Sequence, residues 1–220
     1  MNYISHTEKS IENSNNAISK LTPEILAIHD GDSCMSSHLV RHLLNNICSF
    51  EGCNFLEIGS WRGSTFQSAI FNNNLKATSI DFWPDNLPFR ESRSIFYRNL
   101  YHVLEKETND MYKEIRIVNQ DCFLFNKEGL KDINVYLYDG DHSEESQRKG
   151  LVYYNDILAD EAVIIVDDWN ASEVKNGTRK AIKELNWEIL KEWELPGQLG
   201  NWGANSGLYW NGLFVAVIQK

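Results

Sequence analysis

The sequence predicts an α/β fold: a seven-stranded, mostly parallel sheet with helices on both faces and an antiparallel last strand. Apolar segments of strand length alternate with segments of helix length over the first five units, which is typical of a parallel sheet. The fifth strand, "EAVIIVDD", is apolar without alternation, as expected when both faces of a strand are covered. The last two strands have no helix between them, so we expect them to pair in antiparallel fashion.

Each element is predicted from its local pattern. The first helix carries apolar residues at helical spacing from Leu39 to Ile47, and Ser36 or Ser37 can cap it. In "SEESQRKGLVYYNDIL" the acids stand in the first turn, where the helix dipole favours them. The predicted order is helix 36–50, strand 53–59, helix 64–73, strand 76–81, helix 90–107, strand 114–121, strand 133–139, helix 143–158, strand 161–168, helix 178–186, strand 187–195 and strand 212–220.

The chain of 220 residues is most simply one domain with a full hydrophobic core. Residues 1–20 are rich in asparagine and serine, so they are expected to form a flexible N-terminal arm. Residues 21–220 then form a single domain, since no repeat or low-complexity linker interrupts them.

Composition excludes several classes of partner. The net charge is −10 and lysine and arginine are not clustered, which argues against a nucleic acid or an anionic membrane as partner. The N-terminus lacks the apolar stretch of a signal peptide, and no apolar run is long enough to span a membrane. The four cysteines have neither zinc-site nor redox-motif spacing, and Cys53 and Cys122 are expected to be reduced. We expect a cytoplasmic protein whose oligomeric state is open.

Polar residues stand where the predicted parallel strands end. Ligands of open α/β sheets bind outside the carboxyl ends of the strands. In "NVYLYDGDHSEESQRKG" two acids and a histidine follow a buried strand, an arrangement that costs stability unless something binds there. The strand-end residues are Gly59, Asp81, Asp121, Asp139, Asp167 and Asp168. Together they predict a binding site at this edge of the sheet.

The first strand–helix turn, "EIGSWRGST", lacks the G-x-G-x-x-G fingerprint of dinucleotide sites. Gly59 and Gly63 are four residues apart, and Glu57 precedes the first by two. The pattern resembles the E-x-G-x-x-x-G motif of class I S-adenosylmethionine (SAM)-dependent methyltransferases, which have a Rossmann-like fold. The alternative is an ordinary tight turn between a strand and a helix.

The resemblance to these methyltransferases implies roles for the other strand ends. The acid that ends the second strand, Asp81, would accept both ribose hydroxyls of SAM. Asp121 in "VNQDCF" would meet the adenine amino group, with Cys122 alongside. The implied cofactor-binding residues are Glu57, Gly59, Ser60, Gly63, Ser64, Asp81, Asp121, Cys122 and Asp139.

The pairing of "DGDHS" with "IIVDDW" resembles metal-dependent O-methyltransferases, particularly those acting on sugar hydroxyls of macrolide (macrocin type) and aminocoumarin antibiotics. This resemblance implies that Asp139, Asp167 and Asp168 hold one divalent cation. Carboxylates suit a hard cation, with Mg²⁺ the first expectation and Mn²⁺ or Ca²⁺ the others. The implied reaction moves a methyl group to a hydroxyl of a small molecule, a sugar or a natural product.

Two residues are candidates for the base that takes the proton from the acceptor hydroxyl. Asp141 is the first candidate because it matches the second acid of the D-G-D motif, and His142 is the second because of its unperturbed pKa. Their structural alternatives are a cap at the helix that begins near Ser143 and a solvated turn residue.

Two other functions fit parts of the sequence. Asp139 and Asp141 also form the D-x-D pattern of metal-dependent nucleotide-sugar glycosyltransferases, although such enzymes do not need the first turn with Asp81 in register. A non-catalytic protein with a relic site is the second alternative. Acceptor specificity is expected in loops, including the one between the last two strands, which should return across the mouth of the site. There, Trp202 and Trp210 either stack on the acceptor or pack against the last strand pair.

Overall fold

The computed structural model describes residues 1–30, 35–108, 112–198 and 207–220. In these parts of the chain, seven strands form one sheet with the order β3-β2-β1-β4-β5-β7-β6. The strands are β1 (Cys53–Ile58), β2 (Leu75–Asp81), β3 (Lys113–Asn119), β4 (Ile133–Tyr138), β5 (Leu158–Val166), β6 (Glu188–Leu195) and β7 (Leu213–Gln219). The pairs from β3 to β5 are parallel, and β7 runs antiparallel to both β5 and β6. The predicted fold, including its reversed last strand, is confirmed.

Helices cover both faces of the sheet. They are α1 (Tyr3–Asn15), α2 (Pro23–Ile28), α3 (His38–Ile47), α4 (Ser64–Ile70), α5 (Phe89–Glu105), α6 (Glu144–Tyr154) and α7 (Ser172–Leu185). Ser37 caps α3 by accepting a hydrogen bond from the Val40 amide, as one of the two predicted caps. None of the helices in the described ranges has the length and apolar character needed to cross a membrane.

The fifth strand shows why its sequence lacks alternation. Val163 and Ile165 pack into a core with α3, α4 and α5, whereas Ile164 and Val166 pack into a second core with α6 and α7. All four side chains are buried. Because apolar groups are needed on both sides of the strand, the continuous apolar run is the pattern that such a strand requires.

The first residues of the chain differ from the expectation of a loose arm. They form helix α1, which Asn2 caps by accepting a hydrogen bond from the Ser5 amide. The helix buries Thr7, Ser10 and Ser14, and the Ser14 hydroxyl lies 2.7 Å from the hydroxyl of Tyr209. The expectation is therefore corrected for residues 3–15. The helix was missed because the buried polar residues Thr7, Ser10 and Ser14 interrupt the few apolar side chains, Tyr3, Ile4 and Ile11, that pack against the core.

The described cysteines are reduced. Cys48, Cys53 and Cys122 are free thiols, which agrees with the prediction for Cys53 and Cys122. Cys34 lies outside the described residues.

Candidate active site

A cleft of about 880 Å³ lies at the carboxyl edge of the parallel strands. It brings together most of the predicted site residues, although they come from five strand ends that are far apart in sequence. The predicted residues that line it are Gly59, Asp81, Asp121, Cys122, Asp139, Asp141, His142, Asp167 and Asp168. The remaining predicted cofactor residues, Glu57, Ser60, Gly63 and Ser64, belong to β1, the first turn and the start of α4, and do not line the cleft.

The two glycines of the first turn are required by the fold itself. Gly59 has φ +87°, and a Cβ there would lie 1.8 Å from the carbonyl oxygen of Asp139. Gly63 has φ +90°, and its Cβ would lie 2.1 Å from the Gln67 side-chain nitrogen. A side chain at either position would clash with its neighbours. These contacts account for both glycines without a ligand, so a part in cofactor binding stays a prediction.

Glu57, on β1, stabilises the first turn through a hydrogen bond. Its side chain is fully buried, and its Oε2 accepts a hydrogen bond of 2.9 Å from the Ser60 hydroxyl. The Ser60 oxygen also lies 2.7 Å from the hydroxyl of Ser79 on β2. Burial raises the pKa of Glu57 to about 8, because the charged form would lose its hydration. Glu57 therefore couples the first turn to the sheet.

Asp81 holds the same turn from the second strand. Its Oδ2 accepts a hydrogen bond of 2.6 Å from the backbone amide of Trp61. Burial raises the pKa of Asp81, although hydrogen bonds from the backbone oppose the shift. The carboxyl group lines the cleft at the position expected for the ribose acid.

Asp121 and Cys122 follow β3 and form one wall of the cleft. Asp121 Oδ1 accepts a hydrogen bond of 2.8 Å from the Phe123 amide, which fixes the turn. The Cys122 carbonyl accepts a hydrogen bond of 2.7 Å from the Tyr154 hydroxyl on α6. Burial raises the pKa of the Cys122 thiol to about 11, so the thiol is protonated and a poor nucleophile at neutral pH.

The acids after β4 and β5 meet at the other side of the cleft. Asp139, His142 and Asp168 each offer one ligand atom within 4.8 Å of the others, a spacing that one metal ion can bridge. His142 Nε2 lies 3.0 Å from Asp168 Oδ2. The hydrogen bond to Asp168 raises the pKa of His142, although burial opposes the shift. Burial tends to raise the pKa of Asp168, but hydrogen bonds from His142 and Asn211 lower it overall.

Asp167 belongs to the same acidic edge but not to that group of three. Its carboxyl group is buried, and its Oδ1 has no hydrogen-bond partner among the described residues. Burial, followed by repulsion from Asp168, raises the pKa of Asp167 to about 8. Burial also raises the pKa of Asp139 well above its ordinary value, and Asp167 and Asp168 add to the shift. A cation would neutralise these acids, so the donor set fits a hard divalent ion.

Asp141 is held by the start of α6. Its Oδ1 accepts hydrogen bonds from the Ser143 amide at 3.0 Å and from the Ser143 hydroxyl at 2.5 Å. These bonds lower the pKa of Asp141. The cap of α6 is Ser143 rather than Asp141, which instead accepts hydrogen bonds from that cap residue. Its role as a base stays a prediction.

The loop before β7 reaches the site, as expected. Trp210 and Asn211 line the same cleft as Gly59. Trp210 is only 3 % exposed and belongs to the core, which favours packing as its main role. Trp202 and the rest of residues 199–206 lie outside the described residues. Asn211 was not predicted, because an asparagine in a loop carries no local signal of the acid it contacts.

The strand order places the cleft at the switch between β1 and β4, outside the carboxyl ends of the strands, where open α/β sheets bind their ligands. The model of a family described as a methyltransferase domain matches residues 56–169, more than half of the chain. The chain therefore belongs to this methyltransferase-domain family, which agrees with the methyltransferase resemblance of its sequence. No curated protein matched the sequence.

Solved structures agree on the fold. A protein described as a methyltransferase, solved with S-adenosylhomocysteine (SAH), has a TM-score of 0.57 at 17% identity, over 83% of this chain and 49% of its own. A protein from Streptococcus mutans described as a SAM-dependent methyltransferase has a TM-score of 0.56 at 20% identity, over 83% of this chain and 48% of its own. An O-methyltransferase from Bacillus cereus, also with SAH, has a TM-score of 0.51 at 13% identity, over 98% and 91%. This chain thus spans about half the length of the first two structures.

Proposed function

We propose that the protein is a SAM-dependent O-methyltransferase that moves a methyl group to a hydroxyl of a small molecule, a sugar or a natural product, with the help of a divalent cation. The observation that carries the proposal is the cleft itself. A glycine turn, a ribose-type acid and a cluster of acids with a histidine line one cavity of about 880 Å³. The net charge of −10 favours a small acceptor over a nucleic acid.

The cofactor would lie along the ends of β1, β2 and β3. Asp81 would bind the ribose hydroxyls, Asp121 and Cys122 would flank the adenine, and the backbone at Gly59 would approach the amino-acid part. Asp81 suits this role because the Trp61 amide already fixes its carboxylate at the cleft wall. Two of the similar structures were solved with SAH, which supports the same ligand here.

The cation would be held by the acids that follow β4 and β5, Asp139, Asp167 and Asp168. Their fit rests on the buried, unpartnered Oδ1 of Asp167 and on the close approach of Asp139 to Asp168. When bound, a divalent cation supplies Lewis acidity that lowers the pKa of the acceptor hydroxyl. The acids themselves orient the acceptor, and positioning contributes much of the rate of a displacement reaction.

We propose His142, rather than Asp141, as the group that takes the proton. The Asp141 carboxylate is occupied by Ser143, and its lowered pKa makes it a weaker base. If His142 donates its Nε2–H to Asp168, Nδ1 is left to accept a proton, and the Asp168 carboxylate stabilises the resulting imidazolium. This assignment reverses the order expected from the sequence motif.

Calorimetry with SAM, SAH and a uridine diphosphate sugar tests the ligand class. We expect the first two to bind and the sugar nucleotide not to bind. Mass spectrometry of a panel of hydroxylated acceptors, incubated with SAM and Mg²⁺, then tests transfer. Absence of SAM and SAH binding would end the proposal. Binding of SAM without transfer to any acceptor would support a relic site. Full transfer in excess chelator would show that the proposed function does not need the cation.

A further inference from the structure

We infer that Asn211 is a positioning residue that fixes the orientation of the Asp168 carboxylate at the acidic side of the cleft. The inference rests on the proposed function, because it concerns the acid proposed to hold the cation. Asn211 lies in the loop before β7, 43 residues after Asp168 in the sequence.

The two oxygens of Asp168 are held by different partners. Asn211 Nδ2 donates a hydrogen bond of 2.6 Å to Oδ1, and His142 Nε2 lies 3.0 Å from Oδ2. A carboxylate with a single partner can rotate about its Cβ–Cγ bond, whereas one held at both oxygens cannot. Asn211 thereby directs Oδ2 towards His142 and Asp139, the other members of the group of three.

The backbone around Asp168 is held from the same loop. Asp168 has φ +52°, a left-handed conformation that costs free energy for a residue other than glycine. The Asn170 amide donates to the Asn211 carbonyl at 3.1 Å, and the Trp169 amide donates to the Gly212 carbonyl at 3.0 Å. The turn after β5 and the loop before β7 are therefore joined at both backbone and side chain.

The loop that carries Asn211 is itself anchored. The Tyr209 amide donates to the Pro196 carbonyl at 2.9 Å, beyond the end of β6. The Tyr209 hydroxyl, at the buried end of the side chain, lies 2.7 Å from both Ser14 Oγ and Asn15 Oδ1 at the end of α1. Asn211 thus stands on a loop fixed at two sides, as a residue that positions another group must.

The test compares Asn211→Leu, which keeps the branched shape and loses the donor, with Asn211→Ala as a smaller variant. Asn170→Leu is the matched control, because its side chain is exposed and does not line the cleft. We expect both Asn211 variants to bind Mn²⁺, measured by calorimetry with the metal alone, about 10- to 100-fold more weakly. SAM affinity should be unchanged in all three proteins.

Crystal structures of the wild-type protein and of Asn211→Leu provide a readout independent of the metal. We expect the Asp168 carboxylate to rotate in the variant. Unchanged Mn²⁺ affinity together with an unmoved Asp168 would overturn the inference. If the wild-type protein binds no Mn²⁺, the cation in the proposed function fails, and the orientation of Asp168 alone decides: rotation supports the role of Asn211, and an unmoved carboxylate overturns it.

Discussion

At the scale of single residues, the site contains acids whose burial works against their charge. Glu57, Asp81, Asp139 and Asp167 all have a raised pKa, and burial is the largest cause for each. Folding therefore favours their protonated forms, and their charged forms destabilise the fold until a ligand or a cation compensates.

Glu57 gives a pH prediction with a defined sign. Its pKa is about 8 in the folded protein and about 4.5 for the unperturbed side chain of the unfolded chain, so the folded state holds the proton more tightly. The stability from Glu57 is fully present below pH 4.5 and is lost as the pH rises through 8. In Glu57→Gln, which keeps an acceptor for Ser60, urea unfolding at pH 5, 6.5 and 8 should show a smaller fall in the free energy of unfolding than in the wild-type protein. Equal falls in the two proteins would contradict the assignment.

Asp81 gives a prediction for cofactor binding. Asp81→Ala removes charge-assisted hydrogen bonds to the proposed ribose hydroxyls and releases the Trp61 amide. We expect SAM and SAH to bind more weakly by about 1–3 kcal/mol in calorimetry. Asp85→Ala is the control, because Asp85 is an exposed acid that pairs with Arg93 outside the cleft. A comparable loss in the control would mean that the effect is one of overall charge.

At the scale of elements, the sequence predicts the helices and strands that have a clear pattern of apolar residues. The strand β5 is predicted clearly because its last four residues, Val163 to Val166, all pack into one of the two cores. The strand ends were clear because polar residues interrupt apolar runs there. Helix α1 was not, because it buries Thr7 and Ser14. Neither was Asn211, since its role depends on a contact across 43 residues. Long-range polar contacts have no local signature.

Deleting residues 1–16 tests whether α1 is part of the fold. The deletion removes the edge contacts of Tyr3 and His6 with Phe50 and the hydrogen bonds of Ser14 and Asn15 with Tyr209. Loss of two ring contacts and two hydrogen bonds should cost at least about 3 kcal/mol. For a chain of this size the melting temperature should fall by roughly 6–12 °C. Lys9→Ala removes only an exposed pair with Glu12 and should change little. An unchanged melting temperature after the deletion would instead support the interpretation of these residues as a flexible arm.

At the scale of the whole molecule, the two halves of the cleft are built by different strands but share a wall. The proposed cofactor side comes from β1, β2 and β3, and the acidic side from β4 and β5. They meet where Gly59 packs on the Asp139 carbonyl, a contact too close for any side chain. In the proposed function the two sides would hold the methyl donor and the acceptor next to each other, and we expect substitutions to disable each side separately.

We expect that cation binding and cofactor binding can be abolished or weakened separately, and thermal unfolding is sufficient to test this. If Mn²⁺ and SAH bind the folded state as proposed, each at about 100 times its dissociation constant should add about 2.7 kcal/mol of stability. For the wild-type protein that corresponds to a rise of roughly 5–11 °C with either ligand. Asp168→Gly, which tolerates the φ of +52° but has no ligand atom, should lose the rise with Mn²⁺ and keep the rise with SAH. Asp81→Ala should keep the rise with Mn²⁺ and show a smaller rise with SAH at the same concentration, because its affinity for SAH is expected to be lower by about 1–3 kcal/mol. If either variant lost the rise in melting temperature with both Mn²⁺ and SAH, the two sides would form one inseparable site. A substitution at one strand end would then also have abolished binding at the other.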